Sequence, residues 1–237
     1  MTKHLIVLSE DNLSFPDPES ALNDPDGLLA IGGDLSVARL QNAYQQAIFP
    51  WFSEGEPILW WSPKKRAVIM PEEVHISKSM AKFIRQTDLT LSINHAFNDV
   101  IHACSMPRKT QAETWISSDI INAYHQLHLQ GKAHSVEVWH DDKLVGGLYG
   151  VNVGGVFCGE SMFHEHSNAS KLAFIGLCQH FKRYGGVVID CQMITAHLAS
   201  LGVKEALRGD FIRQLTQYQS CNISAQCWER QKLVLSK

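Results

Sequence analysis

Four groups of side chains in this sequence could do chemistry. The first is Asp190-Cys191-Gln192, at the exit of the apolar run VVID. Side chains alternate across a strand, so Asp190 and Gln192 are expected on one side and Cys191 on the other. An acid beside an amide can accept a proton, orient a neighbour, and both donate and accept hydrogen bonds. The plain alternative has Asp190 capping the following turn with Gln192 in solvent, and the pattern supports both. The second is Cys158-Gly159-Glu160-Ser161-Met162-Phe163, where a glutamate follows a glycine at the end of another apolar run. Glycine there permits a bulge or the close approach of a ligand. Glu160 could pair with an ammonium or share work with Asp190, although the pattern alone favours a solvated strand end. The third is Trp51, between Pro50 and Phe52, with Trp115 in ETWIS. Indole rings stack on nucleobases for about 1–3 kcal/mol per base, while packing explains most tryptophans. The fourth is HISKSMAKFIRQ, in which Lys78, Lys82 and Arg85 fall at i, i+4 and i+7 and share one helix face. It reads as a solvated face or, more sharply, as a phosphate-binding stripe.

Other signals are set aside. His125 and His128 are i, i+3 on a helix and His164 and His166 are a loop pair, but neither has a Cys or carboxylate at zinc-site spacing. They read as surface histidines, and no metal is expected. No G-x-x-x-x-G-K-[ST], G-x-G-x-x-G or G-x-S-x-G occurs. The six cysteines form no C-x-x-C pair and are too sparse for a disulfide scaffold, so free thiols in a reducing cytoplasm are expected.

These residues need elements to hold them. LIVL (5–8) reads as a strand and 15–36, dense in Pro, Gly, Asp and Asn, as an ordered loop. Ser36 caps a helix through Phe49 with Leu40, Tyr44, Ala47 and Ile48 on one face. The aromatic segment 49–63, ending at Pro63, reads as a boundary: a small N-terminal domain over 1–63, a larger one over 64–237. The second part alternates strands at 66–70 and 89–93 with helices at 75–86, 95–104 and 117–131. A hairpin (134–140, 143–151) turns at Asp141-Asp142, and a strand follows at 154–163. A helix opens after Asn168 as N-cap, with Leu172, Ile175, Cys178 and Phe181 on its apolar face. A buried strand (187–192) and a short capped helix (195–202) complete a mixed α+β pattern.

Composition narrows the class. The 237 residues are 45% apolar and 19% charged, enough for a core and too little charge for wholesale disorder. The formal charge of −3 excludes a general polycation but not a local basic patch. Residues 1–61 hold two basic side chains (Lys3, Arg39) against nine acidic ones, whereas 62–86 hold six basic against Glu72 and Glu73. No apolar run approaches the roughly 18 residues of a bilayer span, and the amino terminus turns acidic too soon for a signal peptide.

FPDPESALNDPDGLLAIGGDLS, AIFPWFSEGEPILWWSP, GGLYGV, FCGESMF, NASK and DCQ followed by H-ASLG occur in this order. Together, from about Phe15 to Arg213, they resemble the leucyl/phenylalanyl-tRNA–protein transferase family. The resemblance implies transfer of Leu or Phe, and less well Met, from aminoacyl-tRNA to the free amino terminus of a protein beginning with Arg or Lys. That product is a degradation signal. It implies a small N-terminal domain before a larger acetyltransferase-like (GNAT-like) one, a cytoplasmic monomer, no metal, no acetyl-CoA and no other cofactor. Asp190, Gln192 and Glu160 match the family's catalytic residues, with Asp190 hydrogen-bonded to Gln192. Trp51 and Trp115 match aromatics on the terminal adenosine. Leu148, Phe157, Gly159, Met162, Leu177, Phe181 and Ile189 match positions around an apolar aminoacyl pocket, and Lys78, Lys82 and Arg85 a basic helix for the acceptor stem. Leu148 and Leu177 stand where the best-known member has Met and Phe, and Gln86 where a further basic residue is familiar.

Two other readings compete. An acetyltransferase would cradle pyrophosphate with a glycine-rich turn opening a helix, but HEHSNASK (164–171) has no glycine. An RNA-binding module leaves Asp190, Gln192 and Glu160 without a task.

Overall fold

The computed structural model describes residues 5–107 and 114–235. The first strands are β1 (Ile6–Leu8), β2 (Leu28–Gly32), β3 (Phe49–Pro50) and β4 (Leu59–Trp61), with helix α1 (Val37–Tyr44) between β2 and β3. They form a four-stranded sheet in the order β1-β2-β4-β3. β2 lies inside the segment expected to be loop. Its Leu28, Leu29 and Ala30 are buried, so a short apolar run between turn residues pairs with β4 despite its surroundings. Ser36 caps α1 by accepting from the Arg39 N–H, as expected. The helix stops at Tyr44 rather than Phe49 because Ala47 turns left-handed (φ 63°).

Then follow β5 (Lys65–Ile69), α2 (Lys78–Gln86), β6 (Thr90–Ile93), α3 (Phe97–Ser105), α4 (Ser118–Leu129), β7 (Ala133–His140), β8 (Lys143–Val153), β9 (Val156–His164), α5 (Ala169–Arg183), β10 (Val188–Asp190) and α6 (Ala196–Ser200). Beyond residue 202 the sequence pattern is silent, yet β11 (Lys204–Leu207), α7 (Arg208–Tyr218) and β12 (Gln231–Leu233) form there. β11 is an edge strand with no buried residue, so it lacks the apolar alternation that announces a strand. The eight-stranded sheet runs β11-β5-β10-β9-β8-β7-β6-β12. It is antiparallel except where β10 lies parallel to β9. The α+β expectation holds. Among the described residues, no helix is long and apolar enough to cross a membrane, and all six cysteines are free.

Two apolar clusters cover the faces of this sheet. One joins α1 and the small sheet (Leu40, Tyr44, Trp60) to Tyr124, Tyr149, Cys158 and Phe211. The other surrounds α5 and takes in Phe157, Leu148 and Ile189. A register shift between β8 and β9 leaves Glu160 as the extra residue of a bulge, with Tyr149 opposite Ser161 and Gly150 opposite Gly159. The bulge inverts the alternation. Phe157 and Met162, five residues apart, both pack on the α5 side, and Cys158 and Phe163 both on the other. Gly150 is obligatory beside it, because a Cβ there would lie 2.2 Å from the Cys158 carbonyl oxygen and 2.7 Å from the Phe157 ring. Asn168 stands at the N-cap of α5 as expected, but it is left-handed (φ 66°) and its side chain caps nothing.

Gly150→Ala should therefore overpack the bulge at a cost of about 1–3 kcal/mol, read as a drop in Tm in calorimetry. A variant melting with the parent would show that the strands accommodate a Cβ there.

Candidate active site

Asp190 ends β10 and Arg66 lies in β5, and antiparallel pairing sets Asp190 opposite Val68. Arg66 is two residues before Val68, so the two charged groups are diagonal neighbours on one sheet face. They form a forked pair. Arg66 Nε donates to Asp190 Oδ1 at 2.8 Å and Nη2 to Oδ2 at 2.8 Å, with both side chains almost wholly buried. Arg66 Nη1 donates to the Ala47 carbonyl at 2.9 Å. The guanidinium lies 4.8 Å from the Phe49 ring centroid and 4.9 Å from that of Phe211, within cation–π range of both.

Asp190 Oδ1 also accepts from the Gln192 backbone N–H at 3.0 Å. Gln192 is left-handed (φ 54°), an uncommon state for a residue with a long side chain. The expected alternation past Asp190 therefore does not apply: β10 ends there and the chain turns. The expected hydrogen bond between Asp190 and Gln192 exists, but through the Gln192 main chain. Asp190 does cap the turn, as the plain alternative had it, yet Gln192 is buried rather than solvated. Its side-chain Nε2 donates to Glu160 Oε1 at 3.2 Å. Glu160 Oε2 accepts from the Tyr124 hydroxyl at 3.0 Å, and Tyr124 is in turn hydrogen-bonded to the Tyr44 hydroxyl. One connected network thus runs from Arg66 through Asp190, Gln192 and Glu160 to two tyrosines.

The two carboxylates differ in surroundings. Burial pushes the Glu160 carboxyl up to about 7, against the hydrogen bonds of Tyr44 and Tyr124, which pull it down. Burial first, and then the charge of Glu160, raises Tyr44, Tyr124 and Tyr149 well above the usual phenol range, so all three remain protonated.

A cavity of about 520 Å³ opens in front of this network. Glu160 and Gln192 line it, whereas Asp190 is fully buried and does not. Trp51 and Trp115 line it too, with Phe49 and Pro50, and so do Leu148, Gly159, Met162, Leu177 and Ile189. Phe157 and Phe181 do not. They lie behind the wall, fully buried, with ring centroids 6.2 Å apart and Trp228 packed on both. Phe174 and Leu198 take wall positions instead. Cys191, expected to face away from Asp190, is half-buried and lines the cavity, its thiol raised by burial. Lys78, Lys82 and Arg85 are exposed on α2, and among the described residues none is in an ion pair.

Sequence reasoning missed Arg66, Tyr124, Phe174 and Phe211 as parts of this site. Arg66 left a signal, a charged residue opening the apolar strand RAVI, since a buried cation demands a partner. The tyrosines carry no signal beyond an apolar helix face.

Residues 68–216 match the family model described as leucyl/phenylalanyl-tRNA protein transferase, and residues 33–64 match the model of that family's N-terminal domain. The leucyl/phenylalanyl-tRNA–protein transferase of Psychromonas ingrahamii is 58% identical to this chain, covering 99% of each. That of Pectobacterium carotovorum subsp. carotovorum is 59% identical over 97% of each. That of Tolumonas auensis is 52% identical over 99% of this chain and 100% of its own. Among solved structures, FemX is 9% identical over 76% of this chain and 71% of its own, with a TM-score of 0.48. A GCN5-related N-acetyltransferase from Kribbella flavida is 10% identical over 68% and 57%, with a TM-score of 0.40. Scores this low leave the fold to be described from its own strand order.

The raised Glu160 carboxyl has a consequence for stability. The unfolded chain releases that proton near the ordinary 4.5, the folded chain only near 7. Between those values the native state holds the extra proton, so this group's contribution to stability falls as pH rises through the window. Glu160→Gln removes the effect. Its Tm should gain on the parent's between pH 5 and pH 8 in parallel thermal melts; a constant offset would mean that Glu160 titrates as an ordinary carboxylate.

Proposed function

The chain belongs to the leucyl/phenylalanyl-tRNA–protein transferase family, and from that premise we propose how its cavity works. It accepts Leu or Phe, and less well Met, as the ester of a tRNA and passes it to the α-amine of a protein beginning with Arg or Lys, marking that protein for degradation in the cytoplasm. The observation that supports this best is the joint lining of one cavity by Glu160, Gln192, two tryptophans and an apolar wall.

The donor ester is already activated, so the chain needs no nucleophilic side chain; it has to align two groups and move a proton. Trp51 and Trp115 stack on the terminal adenosine. Leu148, Met162, Phe174, Leu177 and Ile189 hold the aminoacyl side chain and reject polar ones through their desolvation cost. Because Gln192 Nε2 is committed to Glu160, its Oε1 is the atom left to accept from the incoming amine. That amine has an ordinary pKa of about 7.7–8.0, and a Glu160 carboxylate near 7 is a far closer match than an ordinary acid. The amine nitrogen attacks the ester carbon as Glu160 takes its proton. The C–O bond then breaks, the proton passes to the departing ribose oxygen, and an amide remains.

Asp190 is a positioning residue in this scheme. Both its oxygens are occupied, by Arg66 and by the Gln192 main chain, and it holds Gln192 in its left-handed turn. Lys78, Lys82 and Arg85 bind the acceptor stem. Residues 1–63 serve as a small N-terminal domain, and the eight-stranded sheet serves as the GNAT-like scaffold.

A filter assay with radiolabelled Leu-tRNA and a protein starting with Arg should show transfer, with acetyl-CoA giving no product; acetyl transfer instead would reverse the assignment. Asp190→Ala should abolish transfer while tRNA still binds. The rate should rise with pH through about 7 as Glu160 ionises. Tyr124→Phe, lacking a hydrogen bond that favours the carboxylate, should move that limb to higher pH; an unmoved limb would assign the ionisation elsewhere.

Lys82→Ala with Arg85→Ala should weaken tRNA binding and flatten its dependence on salt by about two counterions. An unchanged slope in binding titrations would place the stem contact away from α2.

A further inference from the structure

The lining of the cavity carries two chemistries. Trp51 and Trp115 supply indole rings. His164, at the end of β9, Ser170, in the first turn of α5, and Thr195 and His197, at the start of α6, supply polar donors. Lys171 lies among these: burial first, and then Lys171 and His164, lower the His197 imidazole. Among the described residues, Glu160 is the only carboxylate lining the cavity. The neighbouring Glu165 is engaged by Lys143 at 2.7 Å, and Lys171 is in no ion pair among the described residues.

Two of these groups have donors to spare. His197 Nε2 is buried without a hydrogen-bond partner. The Thr195 oxygen accepts from the Leu198 N–H, which leaves its O–H free to donate. The Ser170 side chain is buried in the wall. A cluster of donors around the Lys171 ammonium, with no carboxylate among them, is the complement of an anion. Its place in the fold indicates which anion. Phe83 of α2 packs on His166, two residues beyond His164, with centroids 6.4 Å apart. This rim therefore lies next to the helix that carries Lys78, Lys82 and Arg85.

We propose that His164, Lys171 and His197, with the hydroxyls of Ser170 and Thr195, form a seat for a backbone phosphate of the single strand that leads to the aminoacylated adenosine. The inference rests on the donor being an aminoacyl-tRNA. The seat lies on the side of the cavity next to the basic helix, and so fixes the side from which the strand enters. An acceptor beginning with Arg or Lys is disfavoured here, since its charge has the same sign as Lys171.

Two small donors isolate the seat: leucyl-adenosine, which has no phosphate, and leucylated CpA, which has one phosphodiester. In the parent protein the CpA donor should have the lower KM. Lys171→Gln combined with His197→Gln should raise the KM of the CpA donor about tenfold more than that of leucyl-adenosine. Each variant is its own control for folding, because both donors are measured on one preparation. CpA without its aminoacyl group should also shift the His197 ring resonances in NMR, and adenosine should not. Equal KM increases for both donors, no advantage of CpA in the parent, or a rise confined to the KM of the acceptor peptide would each overturn the seat. Absence of transfer from intact Leu-tRNA by the parent would overturn the functional reading, and the seat with it.

Discussion

The buried pair of Arg66 and Asp190 is the constraint on which the rest of the site depends. Removing two charges from water is costly, and their attraction compensates only when the remaining donors and acceptors are satisfied. Here they are. The guanidinium donates to both Asp190 oxygens and to the Ala47 carbonyl, with aromatic rings on two sides. The pair ties together β5, the end of β10, the turn after α1 and the start of α7. Two residues in the left-handed region, Ala47 and Gln192, give it backbone groups that a relaxed chain would not present. Such strain persists where the surroundings over-determine it, and it clusters at working sites.

Asp190 and Glu160 illustrate how one site gives two carboxylates opposite tasks. Asp190 faces a permanent cation and is held out of the cavity. Glu160 faces phenols and an amide, neutral partners that orient it without fixing its charge. The bulge in β9 makes this possible. A regular strand would carry Met162 to the face opposite Phe157, and with it a part of the apolar wall.

Much of the fold was legible in the sequence because its strands and helices carry strong periodic patterns with capping residues, as at Ser36 and Thr195. The segments that escaped were those whose existence depends on distant partners. β2 is four apolar residues among turn formers, and β11 has no buried side chain at all. At the site, the types Asp, Gln and Glu were legible, but their geometry was not. Alternation suggested a side-by-side acid and amide, whereas the chain achieves contact through a left-handed turn that no pattern announces. Phe157 and Phe181 are buried without lining the cavity because a residue on the correct face of a strand or helix can still be covered by its neighbours; Phe174 and Leu177 line it.

One apolar cluster contains Leu40 and Trp60, early in the sequence, and Phe211, far along it. A polypeptide emerging from the ribosome cannot complete that cluster until α7 has left the exit tunnel. Until then that face of the sheet lacks one of its covering helices, and the Arg66 guanidinium lacks the Phe211 ring.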